Sequence, residues 1–188
     1  MSDAYLYAAA RTPVGLIDAL IRQGAGDLTV VSSNAGNGDV GLAALLEAGR
    51  VRKMTCSFPR QSDSYVFDEL CRAGRVDLEV VPQGTLAERM RAAGAGIGVF
   101  YCPVGVGTPL AEGKETREID GLTYVLEHPI KGDVALISPH RADALGNLRR
   151  LPGADGVSGP WRRTASRSRS CRNGSTSICS RDLVVYGA

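Results

Sequence analysis

A glutamine in a tight turn between a predicted strand and a predicted helix is the residue best placed for chemistry. Gln83 lies between Pro82 and Gly84, directly after the alternating segment VDLEVVP at residues 76–82. Its amide offers one acceptor oxygen and two donor hydrogens, which suits it to orient a substrate carbonyl or carboxylate. The plainer alternative is a turn residue whose amide bonds only nearby backbone.

A second polar loop, SSNAGNGD at residues 32–39, follows another short apolar run. Ser33, Asn34 and the backbone around Gly36 offer hydroxyl, amide and N–H groups that suit the binding of an anion. The loop has neither the G-x-G-x-x-G nor the Walker A pattern, so it does not predict a nucleotide site. An ordinary Asn-Gly loop explains the same residues equally well.

Three glycines alternate at positions 94, 96 and 98. Glycine lets the backbone come close to a ligand or to another strand, which makes Gly96 a candidate binding residue. A helix that ends in glycine and is followed by a tight entry into a strand accounts for the run at least as well.

The remaining reactive residue types form no self-contained catalytic or metal-binding set. His128 and His140 lack partners at catalytic or metal spacing, so surface positions are the better interpretation. The five cysteines include no C-x-x-C pair, which argues against a zinc site or a disulfide framework. The acids of residues 112–120 are mixed with basic residues, as on a solvated face. We expect neither a metal nor a cofactor.

Alternating short elements must position these loops. Periodicity predicts helices at 13–23, 40–51, 64–74 and 85–94, and strands within 27–36 and at 53–58, 76–82, 97–102 and 133–139. Thr85 and Glu88 are predicted to form a capping box, and Asp120-Gly121 a hairpin turn. The alternation predicts an α/β fold with an open, mostly parallel sheet and flanking helices, whose ligand loops follow the strands.

The charge is divided unevenly along the chain of 188 residues. Residues 149–188 contain eight arginines and two acids, a net charge of +6, whereas the rest carries −4. The mildly acidic body has no electrostatic footprint for nucleic acid, and no apolar run is long enough to span a bilayer. The N-terminus lacks the pattern of a signal peptide. We expect a cytoplasmic protein with no nucleic-acid or membrane partner.

Five long segments together resemble one family. They are SSNAGNGD, CSFPRQSDSYVFDEL, VPQGTLAERMRAAGAGIG, LAEGKETREIDG and YVLEHPI. Across residues 13–148 the chain strongly resembles the alpha (A) subunit of the bacterial two-subunit 3-oxoacid CoA-transferases. SNAGNGD and SFPRQSDSYVFDEL favour the 3-oxoadipate CoA-transferases of aromatic degradation over those acting on acetoacetate. The resemblance implies the Rossmann-like fold of family I CoA-transferases.

The resemblance also implies a reaction and a partner. CoA would move from succinyl-CoA to a 3-oxoacid by a ping-pong route, through a nucleophilic glutamate on the beta (B) subunit. Alpha and beta subunits usually form a heterotetramer, and the CoA thioester is a substrate rather than a cofactor. Gln83 would present its amide to the substrate or to the developing oxyanion. The expected substrate-binding residues are Ser33, Asn34, Gly36, Gly84 and Gly96.

The sequence departs from the family pattern at three places. The family loop reads Ser-Asn-Asn-Ala-Gly, and Ser33 replaces its first asparagine. YLYAAARTP stands where the family has a strand and a Gly-Gly-Phe-Gly type loop, so both are expected to be missing. After Leu148 an Arg/Ser-rich segment replaces the family's continuation. We therefore divide the chain into a transferase domain at 1–148 and an atypical tail at 149–188.

The tail is expected to be disordered or the product of a frameshift. Codons for Asp155–Trp161 can spell Arg-Arg-Phe-Gly-Pro-Val in another frame, which is close to the family's sequence, and resequencing would test this hypothesis. The alternative to an enzyme subunit is a catalytically dead remnant that still binds the beta subunit or CoA. A basic-tailed nucleic-acid binder is disfavoured, since Trp161 is the only aromatic residue between 149 and Tyr186.

Overall fold

The computed structural model describes residues 13–137 and, as backbone, four short strands outside that range. The strands are Tyr5–Ala8 (β1), Leu28–Asn34 (β2), Val51–Phe58 (β3), Asp77–Val80 (β4), Phe100–Cys102 (β5), Thr116–Ile119 (β6), Leu122–Glu127 (β7), Val134–Ile137 (β8), Arg141–Ala142 (β9), Leu148–Arg149 (β10) and Leu183–Tyr186 (β11). The α-helices are Val14–Gln23 (α1), Leu42–Glu47 (α2), Tyr65–Arg72 (α3) and Gln83–Gly94 (α4), and Pro109–Ala111 forms a 3₁₀ turn.

The main sheet has six strands in the order β11-β8-β1-β2-β3-β4. All neighbouring pairs in it are parallel except β11 with β8. The helices α1, α2 and α3 connect successive parallel strands, as in βαβ units. A separate antiparallel sheet, β5-β7-β6, is inserted after α4, and β9 pairs with β10. The predicted α/β fold with an open, mostly parallel sheet is confirmed.

Helices cover both faces of the main sheet, so β2 is buried without a break from Leu28 to Ser32. Val30 of β2 belongs to the larger core, which also contains Ile17 of α1 and Phe67 of α3. Its neighbour Val31 points to the opposite face and packs with Leu86 of α4 in a smaller core. The helix α4 therefore lies on the face of the sheet opposite to α1–α3.

Several predictions of local structure are confirmed with shifted ends. The hairpin between β6 and β7 turns at Asp120 and Gly121, whose φ angles of 52° and 77° both lie in the left-handed region. The helix predicted at residues 40–51 covers only Leu42–Glu47, and Gly49 with its φ of +66° leads into β3, which begins at Val51.

Other predictions are wrong in part or in full. The strand predicted at 97–102 is confirmed only for Phe100–Cys102, and it pairs with β7 outside the main sheet. The N-terminal strand expected to be missing is present as β1, between β2 and β8. The Gly-rich loop expected to be missing falls at residues 9–12, outside the described residues. Apart from the short strands β10 and β11, the tail at 149–188 also lies outside the described residues. Its disorder and its origin in a frameshift therefore stay predictions.

The predicted capping box of α4 is also wrong. The helix begins two residues earlier, at Gln83, with Pro82 as its N-cap. Thr85 is buried inside the first turn, and its hydroxyl lies 3.8 Å from the Cys102 sulfur of β5. Because proline has a fixed φ and lacks an N–H, it suits the position just before a helix. Gln83 is therefore a residue of the first helical turn.

An ion-pair network attaches the small sheet to the main one. Arg89 of α4 reaches Glu79 of β4 at 2.7 Å and Glu127 of β7 at 3.8 Å. Glu79 also binds Lys53 at 2.5 Å, and Glu127 also binds Lys114 at 2.7 Å. Glu127 is only 4% exposed, so pairing is needed to offset the cost of burying its charge. The network fixes the small sheet against α4 and the edge strand β4.

Candidate functional site

The carboxyl ends of β2, β3 and β4 lie side by side, and the polar loops follow them. Asn34, the last residue of β2, stands opposite Phe58, the last of β3. Beyond β4, the N–H of Val81 donates to the carbonyl of Cys56 at 2.9 Å, which carries the pairing up to the start of α4. Parallel strands thus gather the loop at 32–39 and the Pro-Gln-Gly turn at one edge of the sheet.

Gln83 occupies this edge with its side chain exposed. The hydroxyl of Ser57 donates to its Oε1, and the Ser57 Oγ also lies 3.2 Å from the carbonyl oxygen of Ser33. By the alternation of strands, Ser33 and Ser57 face the same side of the sheet as Val31, which is the side of α4. The structure therefore brings the predicted residues Gln83 and Ser33 together through a third residue, Ser57.

The loop after β2 is held in one shape by hydrogen bonds. The Oδ1 of Asn34 accepts from the N–H of Gly36 at 3.0 Å, a bond that uses the oxygen of the amide and not its NH2 group. The hydroxyl of Ser64 donates to the carbonyl of Gly36 at 3.0 Å. The N–H of Gly38 donates to the carbonyl of Asp63 at 2.8 Å. The predicted site residues Asn34 and Gly36 are thus fixed at the end of β2.

Gly36 meets a strict steric requirement. Its φ of +92° lies in the left-handed region, and a Cβ at this position would come within 2.8 Å of the Ala43 backbone nitrogen. Glycine is required here both for the φ angle and for the close approach of α2. The close approach that glycine permits at this position is therefore an approach to helix α2 of the same chain.

The start of α4 adds backbone donors to the site. The first N–H groups of a helix have no partner within the helix and carry a partial positive charge. Gln83 and Gly84 belong to this first turn, and the first turn contains no acid that would neutralise it. A Cβ added at Gly84 would have nothing within 4 Å, so the space beside this residue of the first turn is open. The arrangement suits a negatively charged oxygen.

Gly96 lies at the other end of α4. Gln83–Gly94 spans 12 residues, or about 18 Å at 1.5 Å per residue. Gly96 adopts a φ of +72° just after the helix, where its N–H donates to the carbonyl of Ala93. The structure does not bring Gly96 to the cluster around Gln83. The helix-end interpretation explains it, because a left-handed residue closes the helix there.

The carboxylates of Glu79 and Glu127 belong to the ion-pair network and not to this cluster. Burial alone would raise the pKa of Glu79, but hydrogen bonds from Arg89 and Lys53 outweigh it and lower the pKa to about 2. A carboxylate in that state is a poor proton acceptor at neutral pH. Within the described residues, the contacts recorded for Gln83, Ser33 and Ser57 involve hydroxyl, amide and carbonyl groups and no acid.

Cys56 and His128 are equally poor candidates for catalysis. Burial, with a smaller effect of Cys71, raises the pKa of Cys56 to about 12, so its sulfur stays protonated at neutral pH. His128 is exposed, as predicted, and its backbone carbonyl accepts from Arg89 Nε at 2.8 Å. His140 lies outside the described residues.

Sequence reasoning missed Ser57 and the ion-pair network. Ser57 is the second-to-last residue of the strand KMTCSF, and its position on the α4 face could have been read from strand alternation. The network links charged residues from distant parts of the chain, and no local pattern shows that they meet.

In the part of the chain that the structure describes, no helix has the length and apolar character needed to cross a bilayer.

Relatives of the chain share this fold and many of its residues. The family described as Coenzyme A transferase matches residues 2–167. The alpha (A) subunit of 3-oxoadipate CoA-transferase from Pseudomonas putida is 67% identical over 142 residues, which are 76% of this chain and 62% of the relative. The corresponding subunit of the probable succinyl-CoA:3-ketoacid coenzyme A transferase of Bacillus subtilis (strain 168) is 48% identical over 136 residues, covering 72% of this chain and 56% of the relative.

These shares mean that the chain spans only about three fifths of the length of the curated relatives it matches. Among solved structures, glutaconate coenzyme A-transferase from Acidaminococcus fermentans superposes with a TM-score of 0.69 at 21% identity, over 80% of this chain and 56% of that chain. At that identity the likeness shows the fold alone. The family match over most of the sequence and the relative with 67% identity show that the chain belongs to the coenzyme A transferase family.

Proposed function

We propose that the chain acts as the alpha subunit of a CoA-transferase that moves CoA from succinyl-CoA to a 3-oxoacid, with 3-oxoadipate as the acceptor. The relative with 67% identity is named for that acceptor, which supports the choice. The CoA thioester is a substrate, so the proposal includes no resident cofactor. The partner is a beta (B) subunit, since the names of the relatives designate one subunit of an enzyme that has more than one.

The observation that supports the proposal is the position of Gln83. Its amide lies in the first turn of α4, beside the hydroxyl of Ser57 and the end of β2. When a carboxylate attacks a thioester, the carbonyl oxygen gains negative charge, and amide donors placed near it lower the barrier. Gln83 would donate to that oxygen, and the backbone N–H groups at the start of α4 would favour the charge.

The nucleophile is proposed to be a glutamate of the beta subunit. A carboxylate is suited to a ping-pong transfer, because the acyl anhydride and the glutamyl-CoA thioester that it forms remain activated acyl groups. The cluster in this chain supplies amide and hydroxyl groups, which stabilise charge but do not replace a nucleophile. On this proposal, the two subunits contribute complementary halves of the chemistry to the shared site.

Co-expression of the chain with a beta subunit, sought first in the neighbouring reading frame, tests the proposal. The purified complex should transfer CoA from succinyl-CoA to 3-oxoadipate and act more slowly on acetoacetate. Gln83→Ala should lower kcat by about 10²- to 10³-fold, the usual effect of losing one oxyanion donor.

Gln23→Ala is the matched control. Gln23 is an exposed glutamine at the last residue of α1, and helices that connect parallel strands run back toward the opposite edge of the sheet. The control should keep full activity. A complex that forms without any transfer activity would support the alternative of a dead remnant that still binds its partner. An active complex that is indifferent to Gln83→Ala would refute the role of the amide.

A further inference from the structure

The contact between Ser57 and Gln83 bears on how the amide of Gln83 is oriented. The side chain of Gln83 is exposed, and an exposed glutamine has three rotatable bonds with several accessible rotamers. A group that stabilises a transition state must be held near its productive position before the reaction. Something in the structure must therefore limit the rotation of this amide.

Ser57 is placed to do so. It is half-buried near the end of β3, a strand paired on both sides with β2 and β4, so its Cα is fixed by the sheet. Its hydroxyl donates to Oε1 of Gln83, and its Oγ lies 3.2 Å from the carbonyl oxygen of Ser33. A serine hydroxyl has one hydrogen, so a bond to the Ser33 carbonyl and the bond to Oε1 exclude each other, and the fixed anchor is the strand backbone of Ser57.

We propose that Ser57 is a positioning residue, which binds the carbonyl oxygen of the Gln83 amide and thereby turns its NH2 group toward the reacting acyl oxygen. An amide has its acceptor and its donors on opposite sides, so fixing the oxygen fixes the donors. Without the hydroxyl, the amide would rotate freely and its NH2 group would no longer be held toward the reacting oxygen. This inference deepens the proposed function and rests on it.

Kinetics of the complex with the beta subunit give the first test. Ser57→Ala should lower kcat about three- to tenfold with little change in KM for succinyl-CoA, as the loss of one neutral hydrogen bond would do. Ser57→Thr retains the hydroxyl and should restore most of kcat. In a Gln83→Ala background, Ser57→Ala should have no further effect, because residues that act through one another are not additive. Ser62→Ala, at an exposed serine of the following loop, is the matched control.

Nuclear magnetic resonance of the isolated chain gives a second test that needs no activity. The side-chain NH2 signals of Gln83, identified by their loss in Gln83→Ala, should show restricted motion in the wild type. Ser57→Ala should give these signals the mobility of a free glutamine, and Ser57→Thr should not. Equal mobility in wild type and Ser57→Ala would overturn the proposal, as would additive kinetic effects of the two substitutions.

The two tests separate the possible failures. A wild-type complex without transfer activity would overturn the proposed function, while the NMR signals would still decide whether Ser57 holds the Gln83 amide. An active complex in which Ser57→Ala keeps full kcat would leave the transferase function intact and overturn only the positioning role. Unfolding of each variant in urea shows whether a loss of activity comes from a loss of folded protein.

Discussion

Replacing Gly36 with alanine tests whether the loop after β2 is shaped by close packing against α2. Two separate costs follow from the structure. The φ of +92° places an L-residue in the left-handed region, which costs roughly 1–2 kcal/mol. The new Cβ would also lie 2.8 Å from the Ala43 nitrogen and 3.2 Å from the Leu42 Cβ, so the helix or the loop must shift.

Such overpacking costs typically about 1–3 kcal/mol, so Gly36→Ala should lower the free energy of unfolding by about 2–5 kcal/mol in total. Gly24→Ala is the matched control, since Gly24 has a φ of +84° but nothing within 4 Å of its added Cβ. It should show only the conformational cost of about 1–2 kcal/mol. The difference between the two variants measures the contact between the loop and α2.

Urea unfolding of the purified chain, followed by circular dichroism, gives both values, provided that the slopes with urea are equal. The complex carrying Gly36→Ala should also lose transfer activity, because Asn34 accepts from the N–H of residue 36 and its position depends on the loop. Equal destabilisation by Gly24→Ala and Gly36→Ala would refute the reasoning. It would mean that the loop adapts to the added methyl group at no cost.

Two further predictions concern the ion-pair network and the start of α4. The pKa of Glu79 is lowered from 4.5 to about 2 by its bonds to Arg89 and Lys53, against the opposing effect of burial. Its contribution to stability is therefore fully present above pH 4.5 and lost as the pH falls from 4.5 toward 2, and it is at most about 3 kcal/mol. The difference in unfolding free energy between wild type and Glu79→Gln should shrink between about pH 6 and about pH 2.5, and a constant difference would contradict the assignment. Gly84→Ala should leave the unfolding free energy unchanged or raise it by up to about 1 kcal/mol, because the added Cβ meets nothing within 4 Å and alanine favours helix. The same variant should lower kcat/KM of the complex at least about tenfold if the acyl group approaches the helix end, and full activity would argue against that approach.

The amino-acid sequence alone was enough for the alternation of strands and helices in residues 13–94 and for the Asp120-Gly121 hairpin. These features depend on periodicity and on turn residues, which act over a few neighbouring positions. It also placed Gln83, Ser33 and Asn34 at strand ends, because parallel strands expose their carboxyl ends at one edge. It failed at the start of α4, where the local signal of Thr85 and Glu88 competed with Pro82.

Only the tertiary structure decided which of the candidate residues meet. Gly96 and Gln83 are close in sequence, yet a helix of 12 residues separates them. Ser57 and Gln83 are 26 positions apart, yet the pairing of β3 with β4 and the turn after Val81 bring their side chains into contact. Likewise, Arg89 and Glu127 meet because the small sheet folds back onto α4. Contacts of this kind depend on strand order and register, which no local pattern of residues contains.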